Sequence, residues 1–275
     1  MRDGAPLITA MAHHAKKYLR AFQVHFPFLL DAKFSAMRWV RRTFRLPFEE
    51  EFRAIPLFNP PEGALFLDIG ANRGQSTDAI LMQHPTARVT LFEPNELLFR
   101  KLQAQFAGRE SIVLHNCGLG DDDAAHTLYI PFYRKWMFDG LASFDRDEAA
   151  DWLRGRLAGY DERHFSLVES RALTRRLDEF DLRPFFMKLD VQGFEYRALK
   201  GGEQTLQQHQ PVLLLEAPDV GTTQFLGSLG YEPYGYAEGR FTPGPSSGRN
   251  TFFLPPDKAA LVSRHIAQPA AALAA

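Results

Sequence analysis

Two acidic residues in this sequence each come directly after an apolar run. Asp68 follows the residues LFL and precedes Gly70 and Gly74, and Glu93 follows the residues VTLF. An apolar run that ends in a glycine turn is typical of a buried parallel strand leading into a nucleotide-binding loop. Glu93 lies about 20 residues beyond the glycines, the offset at which a second strand brings an acid to a ribose diol. The pattern therefore predicts a site for an adenosine-containing cofactor.

The glycine spacing and the position of Asp68 indicate which cofactor this is. Gly70 and Gly74 form the pattern G-x-x-x-G, not the G-x-G-x-x-G of dinucleotide-binding loops. A carboxylate at Asp68 would face the pyrophosphate of a dinucleotide, whereas it suits a ligand with an α-ammonium and a sulfonium group. S-Adenosylmethionine carries both groups, and Glu93 can accept both hydroxyls of its ribose. The alternative is a strand–helix turn with two solvated acids.

Further residues of the same loops complete the predicted cofactor site. Asn72 and Gln75 are placed to reach the carboxylate of the cofactor, and Ser76 joins them or caps the following helix. The loop 116–121 ends a third strand, where such folds hold the adenine ring, and Cys117 within it is interpreted as a small packed residue. The predicted cofactor-binding residues are Asp68, Gly70, Ala71, Asn72, Gly74, Gln75, Ser76, Glu93, Pro94, Asn116, Gly118, Leu119 and Asp190.

A second group of acids follows later apolar runs. Asp190 comes after the run 185–189, Glu195 enters the next helix, and Glu216 ends another run. Because the carboxyl ends of parallel strands share one edge of a sheet, these carboxylates are expected near the reactive end of the cofactor. Asp190 is the first candidate for the base that removes the acceptor proton, followed by Glu195 and Glu216. Alternatively, Glu195 supports the helix start through the macrodipole and Glu216 pins a loop.

These motifs occur together in one known family. The segments DIGANRGQS at 68–76, FEPN at 92–95 and KLDVQGFE at 188–195 resemble the FkbM-type family of S-adenosylmethionine-dependent methyltransferases. The resemblance extends over about residues 65–254. It implies a class I methyltransferase fold and methyl transfer to a hydroxyl of a sugar, a glycan or a glycosylated natural product. One position departs from the family: Gln192 stands where Glu is common, so a carboxylate is missing from the turn and no metal site is predicted.

Short apolar runs alternate with helical segments from residue 64 onward. This alternation predicts an α/β fold with a doubly wound, mostly parallel seven-stranded sheet of class I methyltransferase type (Rossmann-like). A late pair of runs without a helix between them, 231–236 and 250–254, predicts an antiparallel edge. The other predicted strands are 64–68, 88–92, 112–116, 125–132, 185–189 and 212–216, and the predicted helices are 76–83, 96–106, 195–207 and 223–229.

The chain is expected to divide into three parts. Residues 1–60 form a short, basic, helical N-terminal extension broken by prolines, 61–262 form the methyltransferase domain, and 263–275 form a flexible tail. Residues 133–165 are predicted to be an insertion or lid. Its aromatic side chains either stack on sugar rings or form a small core of their own: Trp136, Phe138, Phe144, Trp152 and Tyr160.

The composition argues against several classes of protein. The chain has 275 residues and a net charge of -1, which gives no indication of nucleic-acid binding. Its single cysteine, Cys117, cannot form an intrachain disulfide and favours a reducing, cytoplasmic compartment. No apolar run approaches the ~20 residues that cross a bilayer, and the pattern of a secretory signal is not expected at the N-terminus.

Positive charge is concentrated near the N-terminus. Residues 16–45 contain eight basic residues and one acid, Asp31, which gives this segment a net charge of +7. Aromatic and aliphatic residues lie between these charges. One interpretation is a peripheral contact of residues 1–50 with an anionic inner-membrane surface, or with a second copy in a homodimer. The other is a helical cap that packs on the catalytic domain with its basic face in water.

Two other functions fit part of the pattern. A nicotinamide-dependent oxidoreductase shares the fold class, but the glycine spacing and Asp68 disfavour it. A non-catalytic module that associates with membranes or complexes would use the N-terminal segment, yet Asp68, Gly70, Glu93 and Asp190 are all intact. The sequence therefore favours an S-adenosylmethionine-dependent O-methyltransferase whose acceptor is a small molecule or a glycan.

Overall fold

The computed structural model describes residues 17–267 except 19, 27, 152 and 155. The chain divides into two compact units. The smaller unit takes its described residues from 1–39 and 127–171, and the larger unit takes them from 40–126 and 172–275. The boundaries between the units fall within the helix Leu29–Phe44 and the strands Ala125–Tyr133 and Phe165–Arg175.

The strands are β1 (Leu65–Ile69), β2 (Arg88–Phe92), β3 (Ile112–His115), β4 (Gly118–Leu119), β5 (Ala125–Tyr133), β6 (Trp136–Met137), β7 (Phe165–Arg175), β8 (Phe186–Leu189), β9 (Val212–Glu216), β10 (Glu232–Ala237), β11 (Arg240–Pro243) and β12 (Asn250–Leu254). The α-helices are α1 (Leu29–Phe44), α2 (Gln75–Gln83), α3 (Glu96–Gln105), α4 (Arg146–Asp151), α5 (Glu195–Lys200), α6 (Glu203–His209), α7 (Val220–Ser228) and α8 (Pro256–Leu261). Short 3-10 helices lie at Glu50–Phe58, Asp139–Leu141, Glu162–His164, Leu177–Phe180 and Ser263–His265.

The larger unit is built on one mixed sheet. In the described part of the chain this sheet has eight strands in the order β11-β10-β12-β9-β8-β1-β2-β3. Strands β9, β8, β1, β2 and β3 are parallel neighbours, so their carboxyl ends lie at one edge. Strand β12 is antiparallel to both of its neighbours, and β11 is antiparallel to β10. The predicted antiparallel edge is therefore present within an α/β sheet.

The sheet has one strand more than the sequence analysis predicts. The additional strand is β11, which pairs with β10 through a two-residue turn at Glu238 and Gly239. Both turn residues have positive φ values, 51° and 78°, as a type I′ hairpin turn requires. Because Glu is an unusual residue in the first position of such a turn, the sequence carries only a weak signal for this hairpin.

Apolar side chains cover the sheet on both faces, which is why its central strands are continuous apolar runs. On one face Phe66 packs in a cluster with Phe52 and Phe58 of a 3-10 helix. On the other face Leu67 packs with Leu199 of α5 and Leu226 of α7. Residues 40–60 thus belong to the unit that contains the sheet, although the sequence analysis assigns them to the N-terminal extension.

Two helices replace the single helix predicted over 195–207. Helix α5 ends at Lys200, and α6 starts at Glu203 after two glycines. A Cβ atom on Gly201 would lie 1.8 Å from the backbone oxygen of Gly120, so only glycine allows these two segments to come this close. The carboxylate of Asp178 accepts the backbone N–H of Thr205 at 2.8 Å and caps the second helix.

The smaller unit contains the region predicted to be an insertion or lid. Strands β5 and β6 pair in an antiparallel hairpin, and α4 follows them. Trp136 is 5% exposed, and the rings of Tyr133 and Tyr160 lie 5.5 Å apart. Several aromatic residues here therefore pack with one another, in agreement with the second of the two interpretations. Trp152 lies outside the described residues.

We predict that Gly201→Ala destabilises the protein, because the added methyl group must displace the backbone of Gly120. Overpacking of this kind costs about 1–3 kcal/mol. Urea unfolding of the full chain measures the change, with Gly227→Ala as the matched control, since Gly227 in α7 has no heavy atom within 4 Å of a built Cβ. The control should keep or slightly raise the stability. A Gly201→Ala variant as stable as wild type contradicts the close approach.

Candidate functional site

Four acidic residues lie where neighbouring strands end at one edge of the sheet. Asp68 lies in β1 near its end, Glu93 follows β2, Asp190 follows β8, and Glu216 ends β9. Strand β1 is hydrogen-bonded to both β2 and β8, and β8 to β9. The two groups of acids that the sequence analysis singles out are thus part of one arrangement. Open α/β sheets bind ligands at this edge.

Gly70 allows the first loop to lie against the turn that follows β8. Its φ angle is +79°, and a Cβ atom there would lie 2.0 Å from the backbone oxygen of Asp190. The backbone N–H groups of Gly70 and Ala71 both donate to the carbonyl oxygen of Phe92, at 3.0 and 3.1 Å. The loop is therefore fixed to the strands on either side of β1, and any larger residue at Gly70 would separate them.

Glu93 holds two loops together through its carboxylate. One oxygen accepts the backbone N–H of Asn72 at 2.7 Å, and the other accepts the backbone N–H of Asn95 at 2.9 Å. The side-chain amide of Asn116 donates to the backbone oxygen of Glu93 at 2.9 Å. The carboxylate of Glu93 thus joins the loop after β1 to the start of α3.

Asp68 is the most deeply buried acid of the site. It is 1% exposed, and one of its oxygens accepts a hydrogen bond from the hydroxyl of Thr77 in α2. Its other oxygen, Oδ1, is buried and has no hydrogen-bond partner among the described residues. Burial raises the pKa of Asp68 to about 6, although Thr77 and Lys188 oppose the shift. Asp68 and Glu93 are thus buried acids, unlike the solvated pair of the alternative interpretation.

The structure shows where the other predicted cofactor residues lie, and their roles stay predictions. Gln75 and Ser76 are half-buried in the first turn of α2, and Pro94 is half-buried after β2. The residue before this helix is Gly74, so no side chain caps it there. Gly118 and Leu119 form β4, which pairs with the end of β7. The side chain of Leu119 packs in the buried apolar cluster that also contains Cys117.

The turn after β8 is organised by two side chains that belong to it. The side-chain amide of Gln192 donates to Asp190 Oδ1 at 2.7 Å, and Gln192 has a left-handed φ of 48°. Glu195 is 9% exposed, and its Oε1 accepts the backbone N–H of Val191 at 3.1 Å. Burial raises the pKa of Glu195, while backbone N–H groups of the turn lower it. Glu195 therefore stabilises the turn, which fits a structural role.

Glu216 is held in place by Arg249 and lies close to Asp190. The guanidinium of Arg249 donates to Glu216 Oε1. The other oxygen is buried and has no hydrogen-bond partner among the described residues. Burial and, next, the neighbouring Asp190 raise the pKa of Glu216 to about 7, while Arg249 and Lys188 oppose the shift. A carboxyl group with this pKa can take or release a proton at neutral pH.

The sequence analysis does not assign three further residues of this cluster to the site. Lys188 is fully buried, and its ammonium donates to Asn250 Oδ1 at 3.1 Å. Arg249 comes from the loop before β12. Glu49 lies just before a 3-10 helix, and burial raises its pKa while the charges of Lys188 and Arg249 lower it. Only Lys188 has a sequence signal, because it interrupts an apolar run.

The described residues contain no group of three or more His, Cys, Asp or Glu side chains that could hold a metal ion. No helix among them is long and apolar enough to cross a membrane. Both findings concern residues 17–267 with the gaps given above.

Comparisons with solved structures and curated proteins give several similar proteins. An FkbM methyltransferase from Methylobacillus flagellatus KT has a TM-score of 0.45 and 18% identity, covering 70% of this chain and 44% of that chain. Aeropyrum pernix fibrillarin with natively bound S-adenosylmethionine has a TM-score of 0.36 and 11% identity, covering 70% of this chain and 66% of that chain. The antimetabolite synthetase AmbE of Pseudomonas aeruginosa is 29% identical over 182 residues, which is 58% of this chain but only 8% of that much longer protein.

The sequence model of the methyltransferase FkbM domain matches residues 68–233, which is more than half of the chain. The match starts at Asp68 and includes Glu93, Asp190 and Glu216, the acids that meet at the carboxyl edge of the sheet. This chain belongs to the FkbM methyltransferase family.

Proposed function

We propose that this protein transfers a methyl group from S-adenosylmethionine to a hydroxyl oxygen of a sugar, a glycan or a glycosylated natural product. Membership of the FkbM methyltransferase family supports methyl transfer. The observation that carries the proposal of a hydroxyl acceptor is the pair Asp190 and Glu216, at the ends of neighbouring strands beside the cofactor loop. A hydroxyl must lose its proton during transfer, and this pair offers two carboxylates for it.

Asp68 and Glu93 fit the chemistry of this cofactor. Asp68 Oδ1 is a buried acceptor without a donor among the described residues, and it would suit the α-ammonium of the amino-acid part. Glu93 follows the neighbouring strand β2, and its two carboxylate oxygens would suit the two ribose hydroxyls. When bound, S-adenosylmethionine supplies a methyl group on a positively charged sulfur. Asp68 and Glu93 would hold the cofactor by its α-ammonium and its ribose hydroxyls, and not by the methyl group that is transferred.

Gln192 orients the carboxylate of Asp190. The Gln192 amide donates a hydrogen bond to Asp190 Oδ1 at 2.7 Å. A glutamate in place of Gln192 would bring a second negative charge to the same position. The departure from the family pattern thus gives Asp190 a hydrogen-bond donor that holds its side chain in place.

Glu216 is the second member of the base pair. Its pKa of about 7, raised by burial and by Asp190, means that it is partly ionised at neutral pH. Glu216 neighbours Asp190 electrostatically and offers a second carboxylate that can hold the proton. Glu195 is less suited to the role, since its Oε1 is bonded to the turn at Val191. The alignment of hydroxyl and methyl group supplies the rest of the rate enhancement.

We predict that S-adenosylmethionine and its demethylated product bind with dissociation constants in the micromolar range, and that NAD does not bind. Glu93→Ala should weaken binding by about 1.5–3 kcal/mol, because a charged hydrogen-bond acceptor is lost. Isothermal calorimetry measures this, with Glu96→Gln on the exposed start of α3 as control and thermal unfolding to verify the fold. Unchanged affinity in Glu93→Ala excludes Glu93 from the site, and binding of NADH instead would contradict the proposed cofactor.

We predict that Asp190→Asn lowers turnover by about 10²–10⁴-fold while cofactor affinity changes little, since general-base help is lost. The assay follows labelled methyl transfer to acceptors found by mass spectrometry of cell-surface glycans with and without the gene. Glu195→Gln is the matched control, because its amide oxygen can still accept the Val191 N–H. In the wild type, turnover should rise with pH to a plateau above about 7. Near-full turnover in Asp190→Asn places the base elsewhere.

A further inference from the structure

Helix α1 presents large apolar side chains to the outside. Trp39 and Phe44 are each 65% exposed, and Leu29 and Val40 are 46% and 39% exposed. At 100° per residue, these four side chains lie on one half of the helix together with Ala32, Ala36, Thr43 and the half-buried Lys33. On another side of the same helix, Leu30 is buried. The helix therefore has an inner side that packs and an outer apolar stripe that is exposed.

The residues before α1 add exposed aromatic rings in the smaller unit. Tyr18, Phe22 and Phe28 are 66%, 64% and 74% exposed. The rings of Phe22 and Phe26 lie 5.0 Å apart, and those of Phe26 and Phe28 lie 6.1 Å apart. Scattered exposed apolar residues are normal on a protein surface, but a concentration of large rings in one segment indicates an interaction surface.

The charge of this segment identifies the kind of partner. Residues 16–45 carry eight basic residues and one acid, so their net charge is +7, while the whole chain has -1. Arg42 and Arg45 are exposed at the end of α1: Arg45 follows Phe44 in the chain, and Arg42 lies one turn after Trp39, on the same side of the helix. Apolar residues between basic residues on one exposed helix are the pattern of a segment that lies in the interface of a membrane. The contact would be peripheral, because α1 has 16 residues and carries charged side chains along its length.

A second copy of the chain fits this surface less well. A symmetric pair through α1 would bring two segments of +7 together, and these segments would repel each other. An anionic lipid surface gives the opposite: each basic side chain near it is attracted, and the aromatic rings reach the level of the headgroups.

We propose that residues 17–45 seat the protein on an anionic lipid bilayer, with Trp39 and Phe44 entering the headgroup region and Arg42 and Arg45 facing lipid phosphates. This proposal does not depend on the proposed methyl acceptor. It rests on the exposed apolar side of α1 and on the excess of basic residues around it.

Sedimentation of the full chain with vesicles tests this. We expect binding to vesicles of phosphatidylcholine with phosphatidylglycerol, much weaker binding to phosphatidylcholine alone, and release at high salt.

The double variant Trp39→Ser/Phe44→Ser should lower partitioning at least about tenfold, because burying one large apolar side chain is worth roughly that factor or more. Val220→Ser is the matched control, since Val220 is 72% exposed on α7. Arg42→Glu/Arg45→Glu should also lower binding, and Arg264→Glu should not.

Three results would overturn the proposal. The first is a wild-type protein that stays in the supernatant with anionic vesicles at low salt. The second is vesicle binding that neither double variant lowers. The third is a stable dimer in sedimentation equilibrium that Trp39→Ser/Phe44→Ser converts to monomer without vesicles, since a second copy would then cover the apolar side of α1.

Discussion

The buried ammonium group of Lys188 is the interaction on which the rest of the site depends. Lys188 lies in β8 with no exposed surface, and its hydrogen-bond acceptors are Asn250 Oδ1 at 3.1 Å and the Leu189 oxygen at 3.4 Å. Taking such a charge out of water costs several kcal/mol unless opposite charges and hydrogen bonds offset the loss. Asp68 is its register partner on β1. The site is therefore a set of acids arranged around one buried positive charge.

The same charge explains how several acids can lie close together at one sheet edge. Burial raises the pKa of Asp68 to about 6 and that of Glu216 to about 7, and Lys188 opposes both shifts. Because both folded-state pKa values lie above the ordinary ones, the protonated forms favour the folded state. Their contribution to stability is complete below the unfolded-state pKa values of about 4 and is lost as the pH rises through about 6 and 7. A cationic cofactor bound beside these acids would favour their ionised forms and so restore part of the lost stability.

Much of the fold follows from patterns that are local in the sequence. Strands β2 and β9 have the predicted bounds, because each is an apolar run that both faces of the sheet bury. The sequence shows the paired glycines after α5 but not the close approach of Gly201 to Gly120. The sequence analysis therefore predicts one helix where the structure has two. Strand β11 depends on a turn at Glu238 and Gly239 that lacks the usual residue types.

The candidate site is predictable where motifs end strands and unpredictable where distant segments join it. Asp68, Glu93, Asp190 and Glu216 each follow an apolar run, and parallel strand order alone brings them to one edge. Glu49 and Arg249 reach the cluster from a segment before the sheet and a loop near its end, and no local spacing links them to it. The alternation of side chains along β8 does not predict whether Lys188 is buried or exposed, because all four residues of that strand are buried.

The most direct measurement of the charge balance around Lys188 is a carbon-13 NMR titration of the side-chain carboxyls in the full chain, with Asp68→Asn and Glu216→Gln spectra for assignment. We expect Asp68 to titrate near pH 6 and Glu216 near pH 7 in the wild type. In Lys188→Met both should titrate at higher pH, because the charge that favours their ionised forms is gone. Wild-type titration of both groups at or below their ordinary pKa of about 4 would contradict this arrangement.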